Sequence, residues 1–501
     1  MTSRQHGPKA VDKGIAMVGI PSQTGTWIAT CVGAWLMAGA PAPQPYRATP
    51  ETPVGFRGNG TGRFPEATPP TEWSRSKNVL WKTPMPNWSH SDPVVVGEYV
   101  FTTAEPTTLV CVRRTDGKVL WQKTHDLEDT LPADRRAQAK KDLLTAERIR
   151  KIKLDPLRRK RQAITRQLQT MKEDPFLRSQ KAALQRSIDA LEKKLASLET
   201  YRPPRVTAAI GHAKCTPVTD GQRLLVLFGN GVAAGYDLAG PRRWIRIVRR
   251  PAMPLGHSMS PVLAGPALVM SIDKELLAVD AATGKELWSR PTLGPSGGLA
   301  AGRVGDTWVV ATAEGSVVRA ADGKFLDRTR NPARAPRSAP VIHKGVLYLL
   351  GARNRVTIDR LASEADGGVR LENLAAGRAF QGVYYTSPLV HDGCVFLWDK
   401  QGILSIVDAE TGRSVRSKRM GLSGMAHSSP ALGGKYLFLG MDDGTMAVVL
   451  TSVTRGENGR VSVELSQVAK NRLEPMRSSP VFAGKHIYVR TLKSLYCLAG
   501  S

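Results

Sequence analysis

Five cysteines in 501 residues, none adjacent to another and none at a short ligand spacing, leave neither a disulfide framework nor a cysteine metal site in this chain. Without the leader, Cys111, Cys215, Cys394 and Cys497 remain and read as free buried thiols. Aromatics are 6% and hydrophobic residues 41%, enough for an ordered core but not for a multi-span membrane protein; beyond the N-terminal region no apolar run reaches transmembrane length. Acidic residues are scarce, 43 against 71 Lys and Arg, which leaves a net charge of +28. No Ser/His/Asp nucleophile set and no phosphate-cradling loop stands at a readable spacing, and Gly229-Asn230-Gly231 is a hairpin turn.

What the chain does have is a degenerate repeat. Prolines preceded by Ser or Thr at one or two positions recur at Pro93, Pro217, Pro261, Pro340, Pro388, Pro430 and Pro480. Each is followed by a glycine: Gly97, Gly221, Gly265, Gly345, Gly393, Gly434 and Gly484. The separations are 124, 44, 79, 48, 42 and 50 residues, so the 79 is two units and the 124 is one unit with a large insertion. A period in the forties with short β segments marks propeller blades rather than helical repeats. One unit reads clearly as four strands: Pro261-Val262, then Leu268 to Met270, then Leu276 to Asp280, then Thr283-Gly284-Lys285 leading into Leu287-Trp288. A unit without the proline fits between Trp288 and Ser338, giving eight blades. The last blade stops at a third strand, Leu495 to Leu498, while an orphan fourth-strand sequence, Val79-Leu80-Trp81-Lys82, lies upstream. Pairing the two closes the ring and removes two sheet edges. The predicted fold is all-β, an eight-bladed β-propeller of four-stranded blades with an α-helical hairpin inserted after the first blade.

The Thr-Gly-Lys-Glu-Leu-Trp stretch at 283–288, its weaker copies at Thr411-Gly412-Arg413 and Asp116 to Trp121, and the Ser-Ser-Pro starts at 428–430 and 478–480 resemble the pyrroloquinoline-quinone-like eight-bladed propeller repeat proteins. The leader Phe56-Arg57-Gly58-Asn59-Gly60 resembles the N-terminal segment of secreted members. The resemblance spans roughly 79–124 and 206–499 and speaks to fold; chemistry does not follow from it.

Residues 1–40 have the layout of a secretory signal: Arg4, Lys9 and Lys13, then a stretch free of charge to Tyr46 with its apolar heart at Trp27 to Ala40. An uncleaved anchor and a buried structural segment are the alternatives. The protein is expected to be exported, periplasmic or in the cell envelope, and monomeric. Residues 41–78 form a Pro/Gly-rich strap or linker, 79–124 the closing strand and first blade, 125–205 the insertion, and 206–501 blades 2 to 8. In the insertion, Leu184, Ile188, Leu191, Leu195 and Leu198, with Leu157, Ile164, Leu168 and Met171, make helical stripes. Asp155-Pro156 and Asp174-Pro175 each offer an N-cap followed by proline, which predicts a short helix and then an antiparallel hairpin turning at Asp174-Pro175. Between Asp134 and Arg205 there are 21 Lys or Arg and 9 Asp or Glu. The densest run, Lys151, Lys153, Arg158, Arg159, Lys160 and Arg161, is the candidate docking face for an envelope protein, an acidic surface or an anionic membrane; a plain solvated face is the other reading. Export and the lack of interleaved aromatics argue against nucleic acid.

Three residues before each anchoring proline stand His90, Lys214, Ser258, Arg337, Tyr385, His427 and Arg477, with His257 beside Ser258. This position leads into the innermost strand, so these side chains are expected to crowd one mouth of the central channel. Cationic and imidazole groups there suit an anionic or carbonyl-bearing ligand, unless the face is a hydrated funnel whose residues pair with neighbouring loops. The resemblance implies two functional classes: a non-enzymatic scaffold, as in the propeller lipoprotein of outer-membrane β-barrel assembly, or a quinoprotein dehydrogenase holding pyrroloquinoline quinone and Ca²⁺ at the mouth. The alcohol-oxidising members are typified by adjacent cysteines, absent here, and by hard oxygen ligands at the mouth. The reading adopted is a protein-binding scaffold with no cofactor, no metal and no catalytic residue.

Overall fold

A computed structural model describes residues 47–207, 209–252, 259–292, 297–330, 338–365, 368–380 and 382–500. The expected leader therefore lies outside the described residues. The described residues form eight sheets, each a four-stranded antiparallel meander; the seventh gains a fifth strand from the strap. Blade 3 runs Val262–Ala264, Ala267–Ile272, Glu275–Asp280 and Glu286–Pro291. The proline-less unit is blade 4, with Leu299–Val304, Thr307–Thr312, Ser316–Arg319 and Phe325–Arg328. Blade 8 is closed by the two ends of the chain: Val79–Pro84 pairs antiparallel with Ser494–Ala499, Trp81 opposite Cys497.

The repeat motif is the joint between blades. Trp81, Trp244 and Trp288, on the outermost strands of blades 8, 2 and 3, donate their indole N–H to backbone carbonyls of the following blade, Arg114, Ala281 and Ala320, at 2.9, 3.0 and 2.8 Å. Each ring lies against that blade's turn glycine. A Cβ added to Gly117 or Gly284 would come within 2.7 or 2.5 Å of the indole, and both glycines hold positive φ, 74° and 68°. The turn therefore requires glycine twice, for its dihedral and for the close approach.

The insertion differs from expectation at its start. The first helix, α1 (Ala133–Ile149), passes through a π turn at Arg150–Leu154 directly into α2 (Asp155–Thr170). Leu154 is already helical and Asp155 makes no capping bond. A proline within a helix leaves one carbonyl without its N–H, and a π turn absorbs that defect, so Asp155-Pro156 does not begin a helix here. Asp174 behaves as expected, accepting from the Leu177 N–H at 2.9 Å at the start of α3 (Pro175–Leu198). Ala146, Leu154, Ile188 and Leu195 form a small core separate from those of the blades. Met171, placed in the apolar stripe from sequence, is 58% exposed, because α2 ends at Thr170 before the stripe completes another turn.

His125, at the base of the insertion, is fully buried and stacked on Phe228 at 4.7 Å. A carbonyl only accepts, so Nδ1 donates to the Thr107 oxygen at 3.0 Å and Nε2 accepts from the Tyr236 hydroxyl at 2.6 Å. Burial pushes this imidazole down to about 4. Its folded value lies below the ordinary 6.5, so the unfolded chain binds the extra proton; the stabilisation is complete above 6.5 and lost as pH falls towards 4. We expect His125→Gln to flatten acid destabilisation by about 2–3 kcal/mol between pH 7 and 4, read from urea midpoints of both proteins at both pH values. Equal slopes would refute a buried neutral imidazole.

Candidate channel-mouth site

The residue before each anchoring proline builds a hoop around the axis. The Asp92 N–H donates to Thr216 Oγ1 at 3.0 Å and the Thr216 N–H to Ser260 Oγ at 2.9 Å. On the other side Ala339, Ser387 and Ser429 donate to Ser387, Ser429 and Ser479 at 3.1, 3.0 and 3.1 Å. The Ser479 N–H then reaches Asp92 Oδ1 at 2.6 Å. The Ser or Thr before the proline thus supplies the acceptor for the neighbouring blade's amide. Counting back from the inner turn, Gly305 in blade 4 and Gly97 in blade 1, Ala300 takes the place of Asp92, and Ala339 does so in blade 5. Neither carries a side-chain oxygen, so the hoop is interrupted on both sides of blade 4.

The strap occupies the channel opposite that gap. Val54 pairs with Thr219 of blade 2 through two 2.8 Å backbone bonds, and Arg63–Phe64 runs parallel to Leu432–Gly433 of blade 7. Between them Arg57, 1% exposed, donates Nη1 to the Pro388 carbonyl and Nη2 to the Pro430 carbonyl, both at 2.9 Å. Its backbone N–H donates to Asp92 Oδ2 at 3.1 Å. Asp92 is the one acidic member of the hoop; burial raises its carboxyl to about 6 against the pull of the two amides and Arg57. Burial likewise lowers Arg57 to about 10. Neither residue was singled out from sequence as a site residue, although Asp92 stands where the other hoop positions carry Ser, Thr or Ala.

Of the eight mouth residues, His90, Lys214, Tyr385, His427 and Arg477 line one cavity of about 940 Å³; His257, Ser258 and Arg337 lie outside the described residues. Arg477 Nη1 donates to His90 Nε2 at 3.2 Å and to the Ala209 carbonyl at 3.0 Å. Burial first, then Arg477 and Lys214, press His90 down to about 3; burial leads in lowering His427 and Lys214 too. The His427 ring lies parallel to Tyr385, centroids 5.5 Å apart, with Asp442 Oδ2 4.0 Å from its Nε2. The strap and blades 3 to 5 form the remaining wall, through Phe56, Val262, Ala301, Trp308 and Ile342, with Asp273, Arg303, His343 and Lys344 among them. That side was missed: in sequence these residues look like core, and no local pattern shows that they border the cavity.

The six basic candidates of the insertion divide. Lys151, Lys153, Arg159 and Lys160 are exposed. Arg158 instead pairs with Glu192 at 2.5 Å and Arg161 bonds Gln185, both on α3; these two clasp the hairpin to itself. Among the described residues the four cysteines are buried and form no disulfide, with thiols pushed up to about 12 by burial. Among the described residues no helix is long and apolar enough to cross a membrane.

Among solved structures, BamB from Moraxella catarrhalis is similar over 84% of this chain and 99% of its own, with a TM-score of 0.51 at 9% identity. The quinohemoprotein alcohol dehydrogenase from Comamonas testosteroni covers 87% of this chain and 78% of its own, with a TM-score of 0.49 at 9% identity. No curated protein matches the sequence. The family model described as outer membrane protein assembly factor BamB matches residues 71–149, 204–325, 273–367 and 313–499, running through the first insertion helix, leaving out 150–203 and reaching both partners of the closing blade. With most of its length so matched, the chain belongs to the pyrroloquinoline-quinone-like propeller family of outer membrane protein assembly factor BamB.

Proposed function

We propose that this protein is a non-enzymatic, exported scaffold of the cell envelope that grips an acidic partner protein through its helical insertion. The observation that carries the reading is a hairpin with its own small core that leaves Lys151, Lys153, Arg159 and Lys160, and Ile152 at 63% exposure, facing solvent. A projecting basic and apolar face of this kind suits recognition of an acidic surface. Membership of a family named for outer-membrane protein assembly supports the same reading.

The quinoprotein alternative asks for hard oxygen ligands around Ca²⁺. The described mouth residues fit it poorly. Lys214 and Arg477 are cations, both Asp92 oxygens accept backbone amides, and Asp442 Oδ1 accepts the Met425 N–H at 2.8 Å. We therefore route no chemistry through a quinone or a metal.

Replacing residues 133–198 by a short Gly/Ser turn is expected to leave a ring that melts cooperatively within a few degrees of the parent and to abolish cross-linking to envelope proteins. Loss of cooperative melting would show instead that the insertion braces the ring. Reversing Lys151, Lys153, Arg159 and Lys160 to Glu is expected to weaken the same cross-links at least tenfold at low salt, with the gap closing as salt rises. Unchanged cross-linking would defeat the electrostatic grip.

A further inference from the structure

We propose that the channel-mouth cavity binds an amphipathic anion, its carboxylate or phosphate head held by Lys214 and Arg477 and its apolar body lying against the inner strands of blades 3 to 5.

At the polar end, Lys214 is partly buried and makes no hydrogen bond or ion pair with any described residue. Among the described residues only Nη1 of Arg477 is engaged, by His90 Nε2 and the Ala209 carbonyl, which leaves its Nη2 edge for an incoming oxygen. His427 Nε2 is buried without a hydrogen-bond partner. Asp442 is 4.0 Å from that nitrogen, and Asp92, deeper in the channel, is committed to two amides. Tyr385 lines the same cavity, and the buried Arg490 acts on His90 from behind it. Glu51 and Asp273 also border the cavity, yet neither Lys214 nor Arg477 forms an ion pair with a described carboxylate, and two cations drawn out of bulk water in this way are a cost to the folded protein that an anion relieves.

The other end has a different chemistry. Val262, Ala301, Trp308 and Ile342 border the same cavity, with Phe56 of the strap beside them. Beside them the hoop is interrupted on both sides of blade 4. A purely inorganic anion would leave this surface wet, and a neutral apolar ligand would leave the cations unmatched. About 940 Å³ is ample for a head group with a medium-length chain.

The test is calorimetric titration of the mature full chain with octanoate, octyl phosphate, octanol, octyltrimethylammonium and inorganic phosphate. One or both octyl anions are expected to bind one-to-one, about tenfold or more tightly than octanol, with no saturable binding of the octyl cation. Which octyl anion binds better identifies the head as carboxylate or phosphate ester. Lys214→Met should melt with the parent, since no described residue bonds the ammonium, and should weaken the octyl anions about tenfold while leaving octanol unchanged. Ile342→Glu should weaken both octyl anions and octanol. Octanol binding as tightly as octanoate, inorganic phosphate matching octyl phosphate, or an indifferent Lys214→Met protein would each overturn the assignment. Removal of residues 133–198 should leave the binding intact, so failure of the scaffold reading and failure of this one are separable.

Discussion

Asp92→Ala is expected to destabilise the propeller by about 3–5 kcal/mol, because it leaves two buried N–H groups, those of Ser479 and Arg57, without acceptors. Asp92→Ser is the informative companion. Serine is the hoop's ordinary residue and restores the blade 8 to blade 1 bond while still losing the strap, so it should recover about half of the loss. Urea unfolding of the three proteins measures both steps. A serine variant as unstable as the alanine one would mean that the hoop bond contributes nothing and that the strap contact carries the effect.

Trp81→Ala is expected to cost about 3–5 kcal/mol and, more tellingly, to uncouple blade 8. Trp81 sits on the one strand of that blade supplied by the other end of the chain, contacts Tyr488 at 6.1 Å and donates to the Arg114 carbonyl. Trp121 holds the same repeat position in blade 1, but its indole N–H is unbonded and its blade is covalently continuous. Hydrogen exchange should therefore show the amides of Ser494–Ala499 opening ahead of the other blades in Trp81→Ala and not in Trp121→Ala. Equal effects of the two substitutions would remove any special role for closure.

The architecture was legible because each element of a blade is dictated locally. A glycine is needed at the inner turn, a Ser or Thr before the proline, and a tryptophan where the next blade's turn glycine receives it. Even blade 4 could be found without its proline, since Gly315 and Asp322-Gly323-Lys324 keep the turn chemistry. Position in the repeat is also position around the axis, so His90, Lys214, Tyr385, His427 and Arg477 could be grouped across almost the whole chain. What stayed hidden depended on partners that no local pattern encodes. Arg57 meets the carbonyls of residues more than 300 positions away. Arg158 and Arg161 looked like part of a free cationic run until Glu192 and Gln185 appeared opposite them. Asp155-Pro156 carried a start signal that the π turn overrode.

The unequal seams make this propeller mechanically a split washer. In a torus whose joints are all alike, an outward push at the rim is shared by every joint. Here six amide links and an arginine clasp stiffen one arc near the axis, while the seams of blade 4 lack that inner link and are tied farther out, by bonds such as Trp288 to the Ala320 carbonyl and the Leu371 N–H to Asp327. Load applied anywhere on the rim is therefore relieved at the same place, by a small spreading beside blade 4 that breaks no hydrogen bond of the hoop.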